Sequence, residues 1–542
     1  MKLVTETKGK VVLFFPVVWE GQFPTWAPIC MWAIGTALLH AGYEVVMIDE
    51  RAGPETRDQL VAELADAMLL GISGKLGGQC RRMEEIAVFA KQHHPTVPIV
   101  AGGWFPSLYP NQTITSKHID VVVIGPGDEA IVEVADRIRE NRTLAGVTNV
   151  FGKLHGEVVK NELGPLPRVE NTKPIPWELF GAKRYLHPHG WVNFFTSRGC
   201  PGGCTFCAVI CLDPRKWTAL PPERVVDDMQ AIAAATGATA LQIMDTDFCA
   251  SISRVEKICT LMIERGLDLR FNILGRYHGL RRMTDEQLQL LRRAGCNEIE
   301  VGLETGSQRL SDQINKQVDV EDFPRLARRI VNAGIRVRTN IILGIPNETR
   351  SDLAQTFQKM LELRAMGLRA VRFQMFRFTP IPDAPDGKRV LAMTARSHQG
   401  RTEFTYDELI NLPFNESLGE MFWLSPSRER AVNRAYEFYA PLVFYKNSLD
   451  TAQGRPVWRQ VLKLFHRLAK WRLRHAVFAF PFELWLNRLF GKRMPLGADN
   501  GISPAEEQLP MRQPEMGQTP IHDFSRRQRA SSDNPATRSA RM

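Results

Sequence analysis

Nothing in this 542-residue chain approaches the run of about 18 uninterrupted apolar residues that a membrane span needs, so no transmembrane helix is expected. The start, MKLVTETKGKVVLFFPVVWEG, has one short apolar run closed by Pro16. It lacks the apolar core and small-residue cleavage site of a signal peptide. Cysteine is scarce, nine in all, yet four fall between Cys200 and Cys211. The expected compartment is the cytoplasm, where disulfides do not persist and clustered thiols more often hold metal. Acids are missing from one stretch. Between Gln453 and Leu496 ten Lys and Arg face the single acid Glu483. That segment carries nearly all of the net charge of +10, so the charge is local and does not mark the whole chain as a nucleic-acid binder. No internal repeat is found, which excludes a solenoid.

What is present is the composition of a globular protein, 44% hydrophobic and 24% charged. The length implies two to four domains. Residues 10–141 alternate apolar strand-like runs (10–15, 43–49, 68–73, 98–103, 119–125) with helical stretches (32–42, 61–67, 80–94, 128–141). This βαβ rhythm predicts an open parallel sheet, domain 1–141, with ligands at the carboxyl ends of its strands. Residues 142–190 read as a proline-containing connector. A second rhythm follows in 191–385, with strands at 192–196, 239–244, 270–274, 298–302, 336–343 and 370–376. Six βα units over this length predict a partial (β/α)6 barrel. Residues 386–497 read as mostly helical and 498–542 as a disordered tail. The fold class is α/β.

Cys200, Cys204 and Cys207 form C-x3-C-x2-C in the loop after the first barrel strand, where barrel chemistry sits. Thiolates are the soft ligands an iron–sulfur cluster takes, and Gly199, Gly202 and Gly203 let the backbone fold tightly around one. Three ligands on four irons leave one iron open for a substrate or cofactor. With Cys211 as a fourth ligand, a structural zinc site or an electron-carrying cluster are the alternatives. Ferredoxin runs, however, use a shorter first gap.

CPGGCTFC after a strand in a partial barrel resembles the radical SAM superfamily. The resemblance implies a 4Fe-4S cluster on Cys200, Cys204 and Cys207 whose open iron chelates S-adenosylmethionine, cleaved by one electron to a 5′-deoxyadenosyl radical. Phe206 resembles the aromatic beside the adenine. MDTDF (244–248), with Asp245, resembles the segment near the methionyl amine. VGLETGS (301–307) resembles the strand end where Glu304 and Gly306 face the cofactor. NIILGIPNET (340–349), with Gly344, resembles the strand that meets the adenine.

LLGISGKLGGQCRRMEE, AGGWFPSLYP and VVVIGPGDEA resemble the cobalamin-binding domain ahead of many radical SAM cores. Ser73, Gly77, Gly78 and Gln79 match one loop of that domain. Gly102, Gly103, Trp104 and Pro106 match a second, and Gly125, Gly127 and Glu129 a third. The D-x-H-x-x-G motif that would supply an imidazole to cobalt is missing. DERAG (49–53) has Arg51 in its place. The resemblance therefore implies cobalamin bound without a protein histidine, with Trp104 and Tyr109 as candidates for its lower face.

The layout implies methylation of an unactivated carbon on a lipid-like, tetrapyrrole or secondary-metabolite substrate, fed by an external flavodoxin- or ferredoxin-type donor. Oxidative ring closure of the anaerobic magnesium-protoporphyrin monomethyl ester cyclase kind is the alternative. No catalytic side chain is assigned. An RNA-modifying methylthiotransferase would carry a second cysteine trio upstream and a small β-barrel downstream; only Cys30 and Cys80 lie upstream, and the downstream region reads as helical. A plain electron carrier is the other reading from a different class. The isolated cysteines, Cys30, Cys80, Cys249, Cys259 and Cys296, are expected to be buried small hydrophobes. The basic segment 457–493 mixes cations with Trp, Phe and Leu at near-helical spacing, which fits either a helix packed on the barrel or peripheral contact with a membrane surface. No base-reading module accompanies it, so nucleic acid is not an expected partner.

Overall fold

The computed structural model describes residues 7–17, 26–156, 158–212, 215–367, 370–381, 383–395, 404–411, 421, 423–444 and 456–483. The expected tail from 498 lies outside these residues.

Five parallel strands open the chain: β1 (Lys10–Phe15), β2 (Glu44–Asp49), β3 (Ala67–Ser73), β4 (Ile99–Gly102) and β5 (Val121–Val123). KVVLFF makes β1 because a strand covered by helices on both faces needs an apolar residue at nearly every position, and Val11 to Phe14 are fully buried. The spatial order is β2-β1-β3-β4-β5. The chain leaves β1 to one side and returns to the other, so a crevice opens beyond the carboxyl ends of β1 and β3. Two further strands, β6 (Val150–Gly152) and β7 (Val159–Lys160), add antiparallel to the same sheet. The sequence marks a connector there, because strands of three and two residues carry no period long enough to read. The sheet itself runs on to Lys160.

The second sheet holds β8 (Trp191–Phe194), β11 (Ala240–Ile243), β12 (Arg270–Leu274), β13 (Cys296–Glu304), β14 (Arg336–Leu343) and β15 (Val371–Arg377). All pair in parallel, in chain order from β8 to β15. This is the partial barrel. Leu241, Ile243, Phe271, Ile273, Ile299, Val301, Val337 and Ile341 enter one apolar core with the surrounding helices. Their alternates, Gln242, Asn272, Glu300 and Asn340, take the other face, where Asn272 Nδ2 donates to Gln242 Oε1 at 3.1 Å and Asn340 Nδ2 to Glu300 Oε1 at 2.7 Å. A short ribbon, β9 (Ser197–Gly199) with β10 (Trp217–Ala219), closes the base of the cysteine loop. Gly199 there has φ 77°, and a Cβ on it would run into the Lys216 carbonyl. Beyond 385, the described residues form helices and loops without a strand, including Pro385–Ala395, Pro426–Arg434 and Pro456–His475.

Three polar joints tie the sheets together. Asn193 on β8 accepts from Ala27 N at 2.7 Å and donates to Ala27 O at 3.0 Å. Tyr185 Oη donates to Asp49 at 2.8 Å. Arg198 on β9 pairs with Asp128 beyond β5.

Candidate active site

The loop 200–212 leaves β9 with Cys204 buried and Cys200 and Cys207 partly covered. Cys200 Sγ accepts from Gly202 N at 3.4 Å. Burial pushes the Cys207 thiol up to about 11, and Cys200 shifts the same way for the same reason. Ligation would take those protons off. No three His, Cys, Asp or Glu side chains among the described residues close on one point tightly enough for a single ion. Three cysteines on one glycine-rich loop, by contrast, suit a cuboidal cluster, whose ligands stand around a cube rather than a point.

The loop is held from three sides. Thr205 N donates to Ile314 O at 3.0 Å, and Asn315 Nδ2 to Gly203 O at 2.8 Å. Asp386 N donates to Thr205 O at 3.0 Å, and Thr205 Oγ1 donates back to the Asp386 carboxylate. The Arg276 guanidinium lies against Gly202, where a Cβ would stand 2.5 Å from it. Arg276 N in turn donates to Asp247 at 3.1 Å.

Asp245 is fully buried. Its Oδ1 accepts from Thr196 N at 2.6 Å and Ser197 N at 3.0 Å, and its Oδ2 from the two hydroxyls at 2.5 and 2.6 Å. Its whole acceptor capacity fixes the β8–β9 turn that launches the cysteine loop. Arg254 backs this turn, donating to Thr196 O at 3.0 Å.

Glu304 ends β13 with φ 65°, directly after a register shift against β14. A non-glycine residue in the left-handed region is costly and usually marks a constrained site. The twist brings its carboxylate to Lys316 Nζ at 2.6 Å, and the same ammonium lies 5.9 Å from the Phe206 ring centre. Sequence reading missed Lys316; its only signal is a run, Asn315 to Gln317, whose ends both sit at positive φ. Gly306 lies against helix Arg350–Arg364, its N donating to Thr356 Oγ1 at 3.0 Å. Gly344, at φ 78°, donates to Glu348 Oε2 at 2.9 Å and accepts from Trp423 Nε1 at 2.7 Å. Phe206 and Trp423 border one apolar cluster with Ile342 and Ile345. Glu348 is buried, which pushes its carboxyl up to about 8, and its Oε1 has no partner.

On the first sheet, Ser73 and Gly102 end β3 and β4 side by side, their partners in register. Gly103 has φ 92°, and a Cβ there would lie 2.8 Å from Gly74 O and 2.9 Å from Ser73 Oγ. Trp104 follows, a third exposed. Gly77 and Gly78 begin helix Gly78–His93, and Gln79 ties that turn to the loop after β1 through Pro16 O at 2.7 Å. Gly125 N donates to Ser107 Oγ at 2.8 Å. Gly127 and Glu129 lead into helix Ala130–Arg139. Glu129 lines a groove of about 330 Å³ with Ala33, Ala37 and His40, apart from the other loop residues. Its neighbour Asp128 is the one that reaches Arg198. Tyr109 is buried, burial raising its hydroxyl, with Asp383 and Cys211 nearby. Arg51 is buried and committed to Asp49 and Trp26 O, so it does not take the missing histidine's place. Four isolated cysteines are buried as expected, but Cys30 is exposed. It lies in the first turn of helix Ile29–His40, its thiol beside the Ser73 hydroxyl at the end of β3.

These residues fit the implied groups. Soft thiolates gather in one loop, and small-residue turns line the strand ends facing it. Residues 194–360 match the model of the Radical SAM superfamily, and 24–135 that of the B12 binding domain. An uncharacterized methyltransferase of Pyrococcus horikoshii is 26% identical over 287 residues, 51% of this chain and 61% of the relative. The anaerobic magnesium-protoporphyrin IX monomethyl ester cyclase of Synechocystis sp. is 24% identical over 299 residues, 53% of this chain and 59% of that one. The match thus spans about six-tenths of each relative's length. The radical S-adenosylmethionine methyltransferase TsrM of Kitasatospora setae, solved with cobalamin and a [4Fe-4S] cluster, superposes with a TM-score of 0.61 at 20% identity, covering 72% of this chain and 76% of its own.

Proposed function

The chain joins a B12-binding domain to a radical SAM core, and from that premise we propose that it is a cobalamin-dependent radical SAM methyltransferase acting on an unactivated carbon of a small molecule. The carrying observation is the Arg198–Asp128 pair. It joins the strand that launches Cys200 to the turn after β5, and helix Trp104–Leu108 packs against Val209–Leu212, which supports a shared seam between the cysteine loop and that edge of the first sheet.

When bound, the cluster with S-adenosylmethionine supplies a carbon-centred radical, and cobalamin supplies a transferable methyl group. The chain's residues bind and orient. Cys200, Cys204 and Cys207 ligate the cluster. Asp245 and Arg254 fix the turn before it. Glu304 and Lys316 present paired charges to the amino-acid end of S-adenosylmethionine. Phe206, Gly344 and Trp423 form the apolar wall on which an adenine rests. Ser73, Gly77, Gly102, Gly103, Trp104 and Gly125 let a nucleotide tail and ring approach the first sheet's backbone. Phe195, just past edge strand β8, and Phe376, on edge strand β15, are exposed and would flank a mouth over the polar row of Gln242, Asn272, Glu300 and Asn340. A substrate with an apolar rim and a hydrogen-bonding inner end suits that mouth, a class that includes tetrapyrroles, lipid-like molecules and secondary metabolites. Reduction draws on an external flavodoxin- or ferredoxin-type donor.

The test is anaerobic. Protein reconstituted with iron, sulfide and hydroxocobalamin receives methyl-labelled S-adenosylmethionine and a strong reductant. Formation of 5′-deoxyadenosine together with transfer of label to the corrin supports methyl transfer. Deoxyadenosine without label transfer favours the oxidative cyclase reading that the Synechocystis relative's name suggests. Neither product from a fully loaded protein overturns both.

A further inference from the structure

Helix Pro456–His475 buries one face and leaves the other unusually rich. Phe465, Ala469 and Leu473 enter the core, and the helix lies along Arg350–Arg364, where Gln358 Nε2 donates to Arg474 O at 2.9 Å. The outer stripe carries Lys463, Leu464, Arg467, Lys470, Trp471 and Arg474, all exposed. Leu464 is 63% and Trp471 50% accessible. No acid occurs anywhere from Pro456 to Phe482. The core contacts come from the opposite face; Trp471 stacks on His475 yet stays half open to solvent, and Leu464 more so.

Past the helix the chain turns outward. Phe480 is 90% and Phe482 55% accessible, and Phe480 sits at φ 49°. A bulky residue adopts that conformation only when its surroundings impose it. Here they do. Arg472, buried, donates through Nη1 to Val477 O at 3.0 Å and Ala479 O at 2.8 Å, and through Nη2 to Phe480 O at 3.0 Å. The same guanidinium pairs with buried Glu483, which also accepts from Tyr439 Oη at 2.9 Å. A buried ion pair thus fixes a strained loop whose result is to hold two phenylalanines in water, where apolar area is unfavourable.

We propose that this face docks on an anionic bilayer surface, with Phe480, Phe482 and Trp471 entering the headgroup layer while Lys463, Arg467, Lys470 and Arg474 meet acidic lipid. Charge decides the occupant: four cations without an acid select an anionic surface, and the aromatic tips require an apolar layer beneath it. A nucleic-acid duplex offers phosphates but no such layer. Among the described residues no helix is long and apolar enough to cross a membrane, so the contact is peripheral. The inference does not depend on the methyl-transfer reading.

The test uses the full chain, purified without detergent and floated with vesicles of phosphatidylcholine, with and without phosphatidylglycerol. Binding to the anionic vesicles should exceed binding to the neutral ones by about tenfold or more and fall by about fivefold per cation removed. The pairs F480S/F482S and R467E/R474E should each abolish flotation, with circular dichroism and melting unchanged because all four side chains are exposed. Raised salt should release the wild-type protein, which tests the charge term without any substitution. Equal partition into both vesicles, flotation retained in both variants, or tighter binding to a random duplex than to anionic vesicles would each overturn the proposal.

Discussion

Asp128 and Arg198 meet fork to fork, at 2.5 and 3.0 Å, across the seam between the two sheets. Arg198 stands two residues before Cys200, and Asp128 ends the turn after β5. The pair therefore fixes the base of the cysteine loop against the turn after β5. R198M should leave iron content unchanged and cost about 1–2 kcal/mol of stability, the scale of a partly buried charged hydrogen bond. Label transfer to the corrin should fall tenfold or more, since misplacement of about 1 Å costs on the order of a hundredfold. Iron analysis, melting and the labelling assay check the three statements separately.

The three proposed ligands and Cys211 should separate cleanly. C200A, C204A and C207A should each lose the cluster's visible absorbance and most of their iron. C211A should keep both, because the Cys211 thiol only approaches the Cys207 carbonyl, at 3.9 Å. Loss of iron from C211A would instead identify a fully ligated cluster, as in an electron carrier.

Glu304 and Lys316 bury opposite charges against Phe206. E304Q leaves the ammonium buried without its partner and should cost about 3–5 kcal/mol. K316M strands the carboxylate in the same way. The double variant should be less damaged than the sum of the singles, with a coupling energy of about 1–3 kcal/mol in denaturant melts. Additive losses would mean that the pair does not act as a unit.

Glu348 gives a pH test. Burial holds its carboxyl up at about 8, against an ordinary 4.5. Between those values the folded chain keeps a proton that the unfolded chain has lost. The resulting stability is complete below the ordinary value and is lost as pH rises through the folded one, with an upper bound of roughly 5 kcal/mol. E348Q cannot titrate there. Its melting temperature should therefore fall less steeply than the wild type's between pH 5 and 9, and parallel slopes would refute the assignment.

Both parallel sheets were legible because their strands are apolar runs set at regular intervals between amphipathic helices, as KVVLFF and MLLGIS show. The β6–β7 hairpin was not, being too short for a period. Helices Trp104–Leu108 and Pro110–Thr113 were hidden by Pro106 and Pro110. The cysteine loop announces itself by spacing alone. Side-chain direction does not. Sequence places Asp245 at a strand end, but only coordinates show both oxygens committed to Thr196 and Ser197. Sequence likewise cannot tell that Asp128 and not Glu129 crosses to Arg198, or that Cys30 lies open beside Ser73. Those outcomes depend on which neighbour reaches a group first, and neighbours distant in the chain leave no local trace.

The joints at Asn193–Ala27, Tyr185–Asp49 and Arg198–Asp128 carry a consequence for heredity. Each links the first sheet's domain to the short stretch around β8, so exchange of one half without the other breaks side-chain pairs at the seam. A recombinant that took its N-terminal half from a relative would keep Tyr185 and Arg198 and could lose the Asp49 and Asp128 carboxylates they meet, whereas Asn193 needs only the backbone of residue 27. Crossovers that survive should carry β8 with the N-terminal half, placing the natural breakpoint inside the barrel rather than in the linker before it.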